Sequence, residues 1–138
     1  MATILCIDDD PTILELHSAV LGGRGYTVLT ALDGFTGIAL TRNHSIDALV
    51  LDFTMAGMDG NAVAQVLMKE QPNLPIVIWS GSLDDIPESL KWYADAILQK
   101  TDGPEALIST IQKLIKTEIS SKKAVGRTAF TVCEPLVA

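Results

Sequence analysis

Cysteine is nearly absent from this 138-residue chain, which has only Cys6 and Cys133. Their separation fits neither a disulfide framework nor metal-ligand spacing, so both read as plain apolar fillers or bystanders. Basic residues are also scarce, 10 against 17 acidic ones, for a formal charge of -7. That balance keeps the domain soluble and argues against nucleic acid as its direct partner. No apolar run approaches membrane-spanning length, and the opening Met1 to Ile7 is too short, and too soon followed by three aspartates, to be a signal peptide. The expectation is a cytoplasmic protein with no membrane contact. Internal repeats and low-complexity tracts are lacking too.

What is present is a 48% hydrophobic chain of single-domain length, large enough to bury a full core without disulfides or structural metal. Short apolar runs alternate five times with amphipathic segments, the pattern of βα units wound into a parallel sheet. Strands are expected at about Thr3 to Ile7, Tyr26 to Ala31, Ala48 to Asp52, Ile76 to Trp79 and Ala96 to Lys100. The first helix opens at Pro11, carries Ile13, Leu14, Leu16, Val20 and Leu21 as its buried stripe, and stops at the glycines of 22–25. A second starts at Gly34 with Phe35, Ile38 and Ala39 inward, and a third follows Gly60 with Val63, Val66 and Leu67 on one face. Asp84 to Tyr93 reads as a helix with Pro87 in its first turn, and the last helix opens at Pro104. From about Thr117 the apolar pattern fails, which divides the chain into a domain over 1–117 and a tail or linker over 118–138, with a short added strand as another reading of the tail.

The strand Ala48-Leu49-Val50-Leu51-Asp52 organises the rest. An unbroken apolar run suits a strand buried on both faces, and this one ends on a carboxylate at the sheet edge where ligands of open parallel sheets collect. Taken alone, Asp52 is as well explained by capping the turn that follows it. Its company at the same lip changes the balance: Asp8 and Asp9 after the first strand, Ser80 after the fourth, Lys100 after the fifth. Three converging carboxylates raise one another's pKa unless a cation sits among them, and all-oxygen ligands favour Mg2+ or Mn2+ over zinc. A lysine and a hydroxyl facing that metal, with no His or Cys nucleophile in reach, suggest a phosphoryl group carried on Asp52.

These residues resemble the receiver domain of two-component response regulators (CheY-like) over roughly residues 3 to 116. The resemblance rests on Ile7-Asp8-Asp9-Asp10-Pro11, on Leu49 to Asp52 followed by Met55 to Gly60, on Pro75 to Gly81 and on Leu98-Gln99-Lys100. It implies a single-domain α/β, doubly wound (βα)5 fold of flavodoxin-like type, with a five-stranded parallel sheet of order 2-1-3-4-5. It also implies that Asp52 takes a phosphoryl group from a sensor histidine kinase or a histidine phosphotransfer protein. Asp9, Asp52 and the backbone carbonyl of Thr54 would ligate Mg2+, Asp8 would help through water, and Ser80 and Lys100 would contact the phosphoryl oxygens. The output would be an altered interaction with a downstream protein or output domain, with no enzyme activity beyond turnover of its own phosphate.

Departures from the family pattern are Ala56 and Thr101 where proline is usual, Ile97 where an aromatic usually switches, and Tyr93 where glycine usually ends the fourth helix. The Ser80 to Lys100 interval is also about two residues short of the common pattern, so the fourth helix is expected to be short or irregular. The alternative reading is a degenerate receiver serving as a phosphorylation-independent interaction or dimerisation module. A hydrolase with Asp52 as nucleophile is disfavoured, because no general acid stands beside it.

Overall fold

A computed structural model of the protein describes residues 2–55 and 59–124, with side chains of the last helix described as far as Ile115. Five strands alternate with five helices: β1 Thr3–Ile7, α1 Pro11–Gly22, β2 Thr27–Ala31, α2 Gly34–Asn43, β3 Ala48–Asp52, α3 Gly60–Glu70, β4 Ile76–Ser80, α4 Glu88–Tyr93, β5 Ala96–Gln99 and α5 Pro104–Ala124. All pairings are parallel and the strand order is β2-β1-β3-β4-β5. The expected doubly wound fold is therefore the observed one. Strands β3 and β4 are buried at every position, as runs covered by helices on both faces must be.

Alternation along the strands divides the core in two. One layer gathers Leu5, Ile7, Leu49, Leu51, Ile76 and Ile78 with residues of α2 and α3. The other gathers Ile4, Cys6, Val50, Val77 and Trp79 with Leu14, Leu21, Leu107, Ile108 and Ile111 of α1 and α5. Burial pushes the Cys6 thiol up to about 12, so it packs as a small apolar side chain and is not a nucleophile.

Two helix faces differ from the sequence expectation. In α1 the buried residues are Leu14, His17 and Leu21, while Leu16 is exposed. In α2 the buried set is Gly34, Gly37, Ile38 and Thr41, and Phe35 and Ala39 face outward. The reason is the closeness of α2 to the sheet: a Cβ on Gly37 would collide with the side chain of Ile7. Only the face carrying the two glycines can approach that near, so the bulky Phe35 is turned away.

The fourth helix is short, as its compressed interval implied. Ser82 caps a 3-10 turn over Leu83–Asp85, Pro87 is the N-cap of α4 rather than a member of its first turn, and Ala94 leaves it in an extended conformation with φ -65°. Helix α5 runs on to Ala124, beyond the point where its apolar periodicity stops. A helix closes its hydrogen bonds internally, so it needs no buried stripe in its last turns. Residues 125–138, and Ala56 in the loop before α3, lie outside the described residues.

Candidate functional site

The C-terminal ends of β1, β3, β4 and β5 meet the starts of the helices at one rim of the sheet. Aspartates close the first three strand-to-helix junctions: Asp10, Asp33 and Asp59 stand at the N-caps of α1, α2 and α3 and accept hydrogen bonds from Thr12 N, Thr36 N and Ala62 N. Each cap satisfies a helix amide that has no intrahelical partner. The triple aspartate after β1 is thus divided in role, with Asp10 a cap and the two before it left for the rim.

Carboxylate oxygens of Asp8, Asp9 and Asp52 lie within 4.8 Å of one another. Asp8 is buried; its Oδ1 accepts the amide of Asp10 at 2.9 Å, and its Oδ2 has no hydrogen-bond partner among the described residues. Burial pushes the Asp8 carboxyl up to about 6, the Asp10 amide opposing and the Asp52 charge adding to the rise. Asp52 is also buried, and burial raises its pKa against the pull of the Lys100 ammonium and the Thr54 amide. An unpartnered buried oxygen within a set of close carboxylates is the environment that a hard cation completes. The donor set fits Mg2+, and Mn2+ equally.

Lys100 Nζ lies 3.2 Å from Asp52 Oδ1 as an ion pair across the rim. Register explains how it arrives: Asp52 pairs with Trp79, the amide of Phe53 donates to the Trp79 carbonyl, and Ser80 pairs with Gln99, the residue before the lysine. Ser80 is buried at this rim, and its hydroxyl is engaged by Ser82. It donates to the Ser82 carbonyl at 2.8 Å and accepts the Ser82 amide at 3.2 Å. Thr54 enters through its amide, which donates to the Asp52 carboxylate.

The sequence-derived residues Asp8, Asp9, Asp52, Ser80 and Lys100 all stand at this rim. Missed were Asp102 and His17. Asp102 accepts the Gln99 amide at 2.8 Å. His17 is buried edge-on to Trp79, ring centroids 4.9 Å apart, with both nitrogens unpartnered among the described residues. Burial, with the nearby Lys100 charge adding to it, holds His17 down at about 4. Its signal was present in the sequence, since Leu14, His17 and Leu21 follow helical spacing.

A sequence profile of the response regulator receiver domain matches residues 4–112, and the chain belongs to that family. It is 28% identical over 138 residues to the transcriptional regulatory protein GlrR of Escherichia coli, covering 99% of this chain and 31% of GlrR. The chain thus spans about a third of that relative's length. A CheY-like receiver domain from Methanospirillum hungatei superposes with a TM-score of 0.82 at 26% identity, covering 88% of this chain and 98% of that one. TrrA of Thermotoga maritima, solved in complex with Mg2+-BeF, gives a TM-score of 0.77 at 28% identity over 83% of this chain and 99% of that one. The protein is a receiver domain of the two-component response regulator class. Among the described residues no helix is long and apolar enough to cross a membrane.

Proposed function

We propose that Asp52 is the phosphoacceptor, and that phosphorylation there switches an interaction with a downstream protein or output domain. The observation that carries this reading is the Lys100–Asp52 ion pair set inside the cluster of Asp8, Asp9 and Asp52. A carboxylate oxygen of Asp52 attacks the phosphorus of a phosphohistidine on a sensor kinase or a histidine phosphotransfer protein. The new O–P bond forms as the N–P bond breaks, and the leaving imidazole nitrogen keeps the electron pair and takes up a proton. Lys100 neutralises the charge left on Asp52 and gathering on the phosphoryl oxygens, a stabilisation that is strong at a buried rim. Ser80 reaches the same oxygens once its hydroxyl leaves the Ser82 carbonyl.

Asp8, Asp9, Asp52 and the Thr54 carbonyl would hold Mg2+. Bound there, the ion offsets the repulsion among the carboxylates and supplies positive charge to the transferring group. The domain turns over only its own phosphate and acts on no second substrate. We assign residues 1–117 to this receiver unit and 118–138 to a tail or linker, and place the protein in the cytoplasm. Incubation with Mg2+ and acetyl phosphate, read by intact mass, tests the reading. One added phosphate that disappears in Asp52→Asn supports it, and an unmodified wild-type protein overturns it.

A further inference from the structure

Lys100 must bring an ammonium on a four-carbon stem to within 3.2 Å of Asp52, and its side chain is 38% exposed. A lysine free on its stem carries about 2 kcal/mol of rotamer entropy, so the placement of its backbone decides how often the ammonium meets its target. Lys100 is also the first residue beyond the sheet. The β4–β5 pairing ends at Ser80 and Gln99, and Lys100 begins a 3-10 turn over Lys100–Asp102.

The sheet places the chain as far as Gln99, and the turn that follows carries bonds of its own. The side chain of Asp102 reaches back across the turn and accepts the Gln99 amide at 2.8 Å. Strand β5 is an edge strand, with amides that no neighbouring strand meets, and Asp102 occupies one of them. The bond closes a clasp from Gln99 to Asp102 with Lys100 inside it. Beyond the clasp Gly103, with φ 86°, redirects the chain into Pro104 and α5. A threonine at 101 leaves its own φ free, so the turn is constrained by this bond and by its reciprocal, in which the Asp102 amide donates to the Gln99 side chain.

We propose that Asp102 is a positioning residue for Lys100: by clasping the Gln99 amide it sets where the lysine ammonium meets the Asp52 carboxylate. The bland account is that Asp102 merely completes the strand-to-helix corner. The two differ in what they leave untouched. A positioning residue affects phosphoryl transfer to Asp52 and spares Mg2+ binding, because Asp8, Asp9 and Asp52 are held by β1 and β3. This inference rests on Asp52 being the phosphoacceptor.

The experiment compares wild type with Asp102→Ala, Asp102→Asn and Asp102→Glu, measuring phosphorylation by acetyl phosphate at saturating donor across a Mg2+ titration. Asparagine keeps an acceptor oxygen at the same reach without the charge, whereas glutamate keeps the charge and overreaches. Asp102→Ala and Asp102→Glu are expected to lower the maximal rate about tenfold with the half-saturating Mg2+ concentration unchanged, and Asp102→Asn to stay within about twofold of wild type. Should Asp102→Ala fail to fold, the Asn and Glu pair still decides. Wild-type rates in Asp102→Glu, equal losses in Asp102→Asn and Asp102→Glu, or a Mg2+ midpoint that moves in proportion to the rate would each overturn the proposal. A wild-type protein that takes up no phosphate instead overturns the assignment of Asp52, and is seen before any variant is compared.

Discussion

The amide of Gly60 donates to the carbonyl of Phe53 at 2.9 Å, and a Cβ placed on Gly60 would lie 2.8 Å from the Asp52 carbonyl oxygen and 2.6 Å from Phe53 Cα. The start of α3 is thus pressed directly onto the backbone of the strand end that carries Asp52. The obstructing atoms are main chain and cannot rotate aside. Gly60→Ala should therefore cost about 1–3 kcal/mol, as overpacking at a rigid site does. It should also slow phosphorylation, because relief of the clash displaces Asp52. Thermal melts and acetyl phosphate kinetics check both, and a variant with wild-type values would mean that α3 shifts without disturbing β3.

Asp52→Asn should gain no phosphate under conditions that modify wild type. Burial raises the Asp52 pKa, so its ionised form is a net cost to the metal-free fold at neutral pH. Replacement by a neutral isostere should raise the metal-free melting temperature. Differential scanning calorimetry in EDTA makes the comparison, and an equal or lower melting temperature would count against a charge burden at this rim.

Mg2+ should stabilise the wild-type protein by preferential binding to the folded state, by about 1.4 kcal/mol at tenfold excess over its dissociation constant. Asp9→Ala should abolish that gain. The variant retains Asp8 and Asp52, so a loss of response reports on the missing oxygen rather than on the fold. Melting curves with and without Mg2+ are sufficient, and an undiminished shift would remove Asp9 from the site.

His17 sets an acid limit on stability. Its folded pKa is held down at about 4, against 6.5 as the ordinary value, so between these the unfolded chain binds the proton that the folded one refuses. Stability from this group is complete above about pH 6.5 and is lost as pH falls through that window, to about 3 kcal/mol near pH 4. Asp8, raised to about 6, acts with the opposite sign over an overlapping range, losing stability as pH rises. The comparison must therefore be between wild type and His17→Phe, which keeps an aromatic ring against Trp79. The variant should lose less stability than wild type between pH 6.5 and 4 in denaturant titrations. Parallel curves would show that His17 finds a partner when protonated.

Phosphorylation should reorder the segment after β4. Ser80 has its hydroxyl tied to Ser82, and Ser82 in turn caps the 3-10 turn of Leu83–Asp85 through the Asp84 amide at 3.3 Å. Drawing the Ser80 hydroxyl to a phosphoryl oxygen breaks that chain at its first link. Ile97, half-buried against the core, has few rotamers and no ring to swing. Amide hydrogen exchange with beryllofluoride should change most across Gly81 to Asp85. Changes limited to β5 and α5 would show that the signal takes another route.

Several of these features were legible in the amino-acid order alone. The five βα units, the parallel sheet and the convergence of Asp8, Asp9, Asp52, Ser80 and Lys100 follow from where apolar runs stop and which residue stands at each stop. That works because strands buried on both faces must be apolar throughout, and because parallel winding brings all their C-terminal ends to one rim. Which residue of the triple aspartate serves as cap needed the structure, since Asp10 is set apart only by its bond to Thr12 N.

Helix faces were decided by tertiary packing. Local spacing supports more than one stripe on α1 and on α2, and the choice fell to the surface each helix meets: Trp79 takes in His17, and Ile7 admits only Gly37. The length of α5 was equally hidden, because hydrogen bonds within a helix continue where the apolar pattern ends. The sequence alone determined which groups reach the rim. Only the folded chain decided how they are held there, with the Ser80 hydroxyl turned to Ser82 and the Lys100 corner clasped by Asp102, because such bonds depend on distances between segments that no single stretch of sequence contains.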